Sequence, residues 1–281
     1  MTFVRIGGVP HHVVAEGSGP VCVLSAGLAM SWFDWDPVVP LLAPYRTVVR
    51  FDRPGHGLSG AAVVPPSAAG EAHRIAGILD ALGLGGPPAT VVGHSIAGFH
   101  VEAFARLHPS RTAGLVLVDA SIEENAGVPR APAVRTAVAH GLGTALTAVG
   151  APAAVGPALR RTVVRLFREG GGDPAPATLV RRCYGTSRVL QGALLENTHY
   201  RAVAAELLAL RTRFPLPDGV PVTVLAASDG RGRRSTGRWL ARQRALAAEL
   251  GDAHFEAVEP SGHMVMLDRP DAVARAVLKQ G

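Results

Sequence analysis

Three residues distant in the sequence have side chains that could act together: Ser95, Asp229 and His263. A serine hydroxyl is a weak nucleophile until a base takes its proton, and an imidazole serves as that base when a carboxylate orients it. Ser95 lies in "ATVVGHSIAG" at 89–98, where β-favouring residues run into Gly93-His94-Ser95-Ile96-Ala97-Gly98 and "FHVEAFARLHP" then takes helical spacing. That reads as strand, sharp turn, helix. Flanking glycines and the small Ala97 let such a turn hold a strained backbone that projects the hydroxyl clear of the sheet. The following helix amino terminus adds N–H groups and a positive dipole, which favour an oxyanion.

His263 lies in the Gly-containing loop of "PSGHMVMLDRPDAV", and Asp229 just past the strand "VTVLAAS". Asp119, at the end of "LVLVD", is the alternative acid, with Glu123 and Glu124 just beyond it. The elements that must position these groups alternate along the chain. Strands are predicted at "FVRI", "HHVVA", "VCVLS", "RTVVRFD", "TVVGH", "GLVLVDA", "VTVLAAS" and "HFEAVE", and helices over 31–43, 67–82, 96–107, 237–250 and 270–280. Continuous apolar strands interleaved with helices imply a mostly parallel eight-stranded α/β sheet covered on both faces. All three residues then fall on loops at one edge of the sheet.

Between about 121 and 214 the rhythm changes to Ala, Leu, Val and Arg at helical spacing, broken by "GVPRAP", "GAPAAVGP" and "EGGGDPAPA". It reads as a helical insertion above the carboxyl ends of the strands, where open α/β sheets bind ligands. The organisation is thus a core in two parts, 1–120 and 215–281, with a lid over 121–214 in which Gly170-Gly171-Gly172 is a candidate flexible point. Charge is uneven: residues 121–217 hold 12 Arg against 6 Asp or Glu, within a chain of net charge +6. These arginines either steer an anionic or carrier-bound substrate or form solvated helix faces.

Other features take blander readings. "GHGLSG" at 55–60 fits a dinucleotide-binding glycine pattern, but "AAVVPP" follows it and opens no helix for a pyrophosphate. Cys22 and Cys183 form no disulfide framework, and the histidines show no metal-ligand spacing, so neither metal nor cofactor is expected. No apolar run is long enough to span a membrane, and the amino-terminal residues lack the pattern of a signal peptide. The expectation is a cytoplasmic protein with a small-molecule substrate and without nucleic-acid or membrane partners.

Taken together, "SAGLAMSWFDWDPVVPLL", "FDRPGHGLSG", "VVGHSIAG", "LVLVDAS", the Asp229 loop and "SGHMVMLDRP" resemble the α/β-hydrolase superfamily, in its lid-bearing branch of serine esterases, C–C hydrolases and epoxide-hydrolase-like enzymes. The order Ser95, Asp229, His263 is the order of that family's triad. The resemblance implies an oxyanion hole from the backbone N–H groups of Leu28 and Ile96, and a structural role for Asp52 and Arg53. Ala26 stands where the family usually has histidine, and Ala97 where it usually has glycine. Trp32, Phe33 and Met264 are pocket-wall candidates, and His199 and Tyr200 could reach the cleft from the lid.

Serine at position 95 disfavours mechanisms that need a carboxylate nucleophile. The leading expectation is a hydrolase of an ester, lactone or thioester acting through an acyl-enzyme. Two alternatives stay open: C–C cleavage, lyase or cyclase chemistry in the same pocket, and a ligand-binding receptor.

Overall fold

The apolar runs build one sheet in a computed structural model that describes residues 2–123, 126–127, 131–251 and 253–280; Glu124 lies outside these. Its strands are β1 (Thr2–Ile6), β2 (Val9–Glu16), β3 (Val21–Ser25), β4 (Thr47–Phe51), β5 (Ala89–His94), β6 (Thr112–Val118), β7 (Val222–Ala227) and β8 (His254–Val258). They lie in the order β1-β2-β4-β3-β5-β6-β7-β8. The two pairings of β2, with β1 and with β4, are antiparallel, and all the others are parallel. Every residue of β3, β5 and β7 is buried, as continuous apolar sequence requires of strands covered on both faces.

The chain runs outward from β3 to β4, then returns to β5 on the other side of β3. That reversal opens a crevice at the carboxyl ends of β3 and β5, where Ser25 pairs with Gly93. The loop after β3 and the turn after β5 therefore face each other.

Helices α1 (Val39–Leu42), α2 (Ala68–Ala81), α3 (Ala97–Leu107), α8 (Arg234–Glu249), α9 (Val265–Asp268) and α10 (Pro270–Leu278) belong to the core. The expected helix over 31–43 is instead a single 3-10 turn, Trp32–Trp35, followed by the short α1. Between β6 and β7 come α4 (Pro132–Ala148), α5 (Ala151–Phe167), α6 (Ala177–Tyr184) and α7 (Ser187–Arg213).

At 27 residues α7 is about 40 Å long. Its first half lies over the crevice, whereas Val203, Ala204, Leu207 and Leu210 near its end pack into the main core with Ile96 and Phe99. Glu102 on α3, buried, binds Arg106 and also Arg211 of α7 at 2.8 Å. The insertion is therefore joined to the core through one continuous helix.

Candidate active site

The turn after β5 is as sharp as its glycines allow. Ser95 has φ +55°, in the left-handed region that non-glycine residues rarely enter. A Cβ on Gly93 would lie 2.4 Å from the Ala97 carbonyl oxygen, and one on Gly98 would lie 2.7 Å from the Ala120 methyl. Backbone bonds fix the strained residue: Ser95 N–H donates to Val118 at 3.1 Å, and its carbonyl accepts from Ser121 at 3.1 Å and Gly98 at 2.9 Å. Ala97, in place of the family's glycine, is buried without displacing this helix start.

The imidazole of His263 lies beside this turn, its Nδ1 2.6 Å from Asp119 Oδ2. Nδ1–H donates to the carboxylate, which leaves Nε2 as the basic nitrogen. Asp119 is itself buried at φ +43°, and its other oxygen accepts from Ala227 N–H at 2.8 Å and from the Trp239 indole at 2.6 Å. Three donors thus hold one carboxylate in one orientation. The hydroxyl of Ser95 is 3.5 Å from Ser121 Oγ, its hydrogen-bond partner in this structure.

Asp229, expected as the acid, does not bind His263. It lies beyond the end of β7 in a turn whose backbone it closes, accepting from Arg231 N–H at 3.0 Å and Thr236 Oγ1 at 3.3 Å, with Arg233 Nε at 3.4 Å. Such i to i+2 bonds are ordinary for Asp in turns. The Arg231 N–H, followed by Thr236 and the two arginines, holds this carboxyl below its usual range. The alternative acid, Asp119, takes the position because Val118 pairs with Leu225, one rung down the sheet, and the left-handed backbone turns its side chain to His263.

His94 supports the base from behind. Its Nε2–H donates to the His263 carbonyl at 2.9 Å, and the two rings lie 4.6 Å apart. Burial, with His263 beside it, keeps His94 neutral well below the usual histidine range.

Among the described residues no acceptor takes the backbone N–H of Leu28 or of Ile96. The loop that carries Leu28 is gripped on both sides. Arg53 donates to the carbonyls of Ala26 and, at 2.7 Å, Gly27. Ala29, at φ +56°, donates its N–H to Glu196 Oε2 at 3.1 Å and accepts from the Tyr184 hydroxyl at 2.8 Å. Glu196 and Arg53 form a buried two-point pair at 2.8 and 3.0 Å, with His56 Nε2 3.2 Å away. Burial pushes the Glu196 carboxyl up, but Arg53 and His56 outweigh it and hold it well below the usual range.

Next to this loop lies a cavity of about 290 Å³, walled by aliphatic side chains that include Leu28, Met30, Leu159, Leu190 and Met264. Its polar lining residues, Arg160 and Tyr184, are already committed: Arg160 binds Asp34 and Asp173, and Tyr184 binds Ala29. Met264 lines this cavity. Trp32 and Phe33 do not; both are buried in a cluster with Val14, Val180 and Cys183, with Trp32 edge-on to His12 at 4.3 Å. His199 instead ties α7 to α4 through Thr136 at 2.9 Å. Tyr200 packs on Phe99 and interacts with Ser121, so it reaches the serine at one remove.

A second cavity, about 460 Å³ between α7 and α8, touches this site only at Ser121. Both cysteines are buried, which pushes each thiol up to about 12. Among the described residues no cluster of His, Cys, Asp or Glu is placed to hold a metal ion. The "GHGLSG" glycines serve packing: Gly55, at φ +82°, meets Gly192 of α7 so closely that a Cβ on either would clash. Sequence reasoning missed Ser121, Tyr184, Glu196 and Trp239; Ser121 closes the "LVLVDAS" stretch, and the other three lie in none of the quoted motifs.

A profile of the Alpha/beta hydrolase family matches residues 22–276. The chain is 29% identical over 263 residues to the Caulobacter sp. (strain K31) protein named "Putative carbamate hydrolase RutD", covering 91% of this chain and 88% of that protein. It is 37% identical over 122 residues to Epoxide hydrolase B of Mycobacterium tuberculosis (strain ATCC 25618 / H37Rv), covering 39% of this chain and 32% of that one. Several curated relatives are matched over less than half their length, 44% and 32% in two of them. The enol-lactonase from Burkholderia xenovorans LB400 superposes with a TM-score of 0.70 at 21% identity, with 99% of each chain covered.

Proposed function

Because this chain belongs to the alpha/beta hydrolase family and carries serine at its strained turn, we propose that it is a serine hydrolase of uncharged, apolar carboxylic esters, lactones included. The observation that carries this reading is the His263 to Asp119 bond, which leaves Nε2 as the basic nitrogen of a ring 4.6 Å from that of His94, the residue before Ser95. For reaction, the Ser95 hydroxyl rotates from Ser121 onto Nε2, a rearrangement in keeping with the loose geometry of unliganded sites. The oxygen attacks the ester carbonyl as His263 takes its proton, and Asp119 stabilises the imidazolium.

The N–H groups of Leu28 and Ile96 receive the tetrahedral oxyanion, each worth on the order of 10²–10³ in rate. His263 then protonates the departing alkoxide. Water, activated by the same nitrogen, hydrolyses the acyl-enzyme. The insertion acts as the lid of this site, and the aliphatic cavity accepts the acyl chain.

Serine at position 95 argues against the reaction named for Epoxide hydrolase B, since no carboxylate nucleophile stands there. Among the described residues the cation that lines this cavity, Arg160, is already paired, which argues against anionic substrates. Arg160, Arg168 and Arg211 are paired with Asp34, Asp268 and Glu102, and Arg188 donates to the carbonyls of His56, Gly57 and Ser59. The test is intact-mass analysis after exposure to a fluorophosphonate. One adduct is expected, lost in Ser95→Ala and in His263→Ala; no adduct on the folded protein would overturn the reading.

A further inference from the structure

Helices α4 and α5 present an apolar surface outward. On α4, Val134, Val138 and Leu142 recur every fourth residue and are exposed, Val138 by 63%. At the turn between the helices Val149 is 77% exposed, and on α5 Val155, Leu159 and Leu166 continue along one exposed face, Leu166 by 74%. The opposite side of α5 is buried at Arg160 and Val164. Arg161 and Arg165, one turn apart, flank the apolar face without an acidic partner among the described residues. Residues 132–167 contain no Asp or Glu at all.

Val155, Leu159 and Val163 belong to two surfaces at once: they are exposed, and they line the cavity beside Leu28. The outward apolar face is therefore continuous with the wall of the catalytic cavity. Exposed apolar area of this kind marks an interaction surface. A second copy of this chain is a poor occupant, because a two-fold contact would set the same arginines against each other with no carboxylate between them. An anionic lipid surface matches both features: apolar side chains enter the acyl boundary while flanking arginines meet the headgroups. Among the described residues no single helix is long and apolar enough to cross a membrane, and α4 and α5 bend by 106°. This arrangement fits a pair lying on the surface.

We propose that the α4–α5 face docks on an anionic lipid surface and that apolar esters enter the catalytic cavity directly from it. Docking stands on the surface alone; delivery rests on the serine-hydrolase reading. Flotation with vesicles separates the two when performed on Ser95→Ala protein, which cannot turn over substrate. This protein should float with phosphatidylcholine vesicles containing phosphatidylglycerol and stay behind with pure phosphatidylcholine. Arg161→Gln with Arg165→Gln should lower binding on the order of thirtyfold.

Val149→Gln with Leu166→Gln should abolish flotation at unchanged thermal stability. In the otherwise native enzyme this pair should leave turnover of a soluble short-chain ester intact and lose turnover of a vesicle-embedded ester. Absence of flotation, equal flotation with both vesicle types, or a dimer broken by the same pair would overturn docking. Flotation without fluorophosphonate labelling would leave docking standing and overturn delivery.

Discussion

His263 Nδ1 lies 2.6 Å from Asp119 Oδ2, while Asp229 spends its carboxylate on the turn that follows β7. The acid of the proposed triad thus comes from the end of β6. Trp239 and the Ala227 N–H hold the other oxygen of Asp119, so the carboxylate has one orientation to offer the imidazole.

Asp119→Asn keeps the size of the side chain but favours the wrong imidazole tautomer, and kcat should fall on the order of 10³–10⁴-fold. Asp229→Asn retains an oxygen for the Arg231 N–H and should leave kcat within about twofold, since surface changes away from special features have small effects. Steady-state kinetics on both variants decides the assignment. A large loss in Asp229→Asn with none in Asp119→Asn would reverse it.

The two acids show where sequence reading stops. Both follow a strand, both lie at the correct sheet edge, and strand pattern alone cannot say which turns toward the histidine. That depends on the Val118 to Leu225 register and on a left-handed φ at Asp119, neither of which has a signature in residue type. By contrast, the serine turn was legible because its strain demands glycine on both sides, and glycines are visible in sequence. Eight strands were legible for a similar reason, as continuous apolar runs between breakers. The grip on the oxyanion loop was not, because Arg53 and Glu196 are 143 residues apart and meet only once α7 crosses the crevice. Trp32 and Phe33 were misplaced since an aromatic suits a core as well as a pocket.

Acid should destabilise the fold before the carboxylates titrate. His100 is fully buried and uncharged, and burial brings it down to about 4; His94 is likewise held well below its ordinary value. Below about pH 6.5 the unfolded chain binds protons at these histidines and the folded chain does not, so stability falls as pH drops from 6.5 toward 4. Urea unfolding at pH 7 and pH 5 should show this loss. His100→Leu should flatten the slope, because neither ring nitrogen has a hydrogen-bond partner to lose; an unchanged slope would assign the effect elsewhere.

Ala193 lines the aliphatic cavity. Filling that space with Ala193→Phe should exclude long acyl chains and spare short ones. For an octanoate ester kcat/KM should fall at least about tenfold, as losing even one buried methylene contact costs roughly that much, while an acetate ester should be hydrolysed as before. Added salt should leave both rates flat, since neither substrate carries charge. Equal losses for both esters would place the acyl chain outside this cavity.

The final prediction concerns the peptide at Ala29, whose two faces are held by the insertion. Glu196 takes its N–H and Tyr184 donates to its carbonyl, and the neighbouring N–H of Leu28 stays free for an oxyanion. Removing either grip lets that donor drift, and a drifting donor loses transition-state binding more than ground-state binding. Tyr184→Phe should therefore lower kcat about tenfold with KM unchanged. Glu196→Gln should lower it further and also destabilise the fold by roughly 3–5 kcal/mol, because Arg53 is left charged and buried without its partner. A boronic acid that mimics the tetrahedral adduct separates positioning from mere stability. Its affinity should fall in step with kcat/KM in both variants, measured well below their unfolding temperatures. Unchanged boronate affinity with a lowered melting point would mean that these side chains hold the insertion down and leave the oxyanion loop where it was.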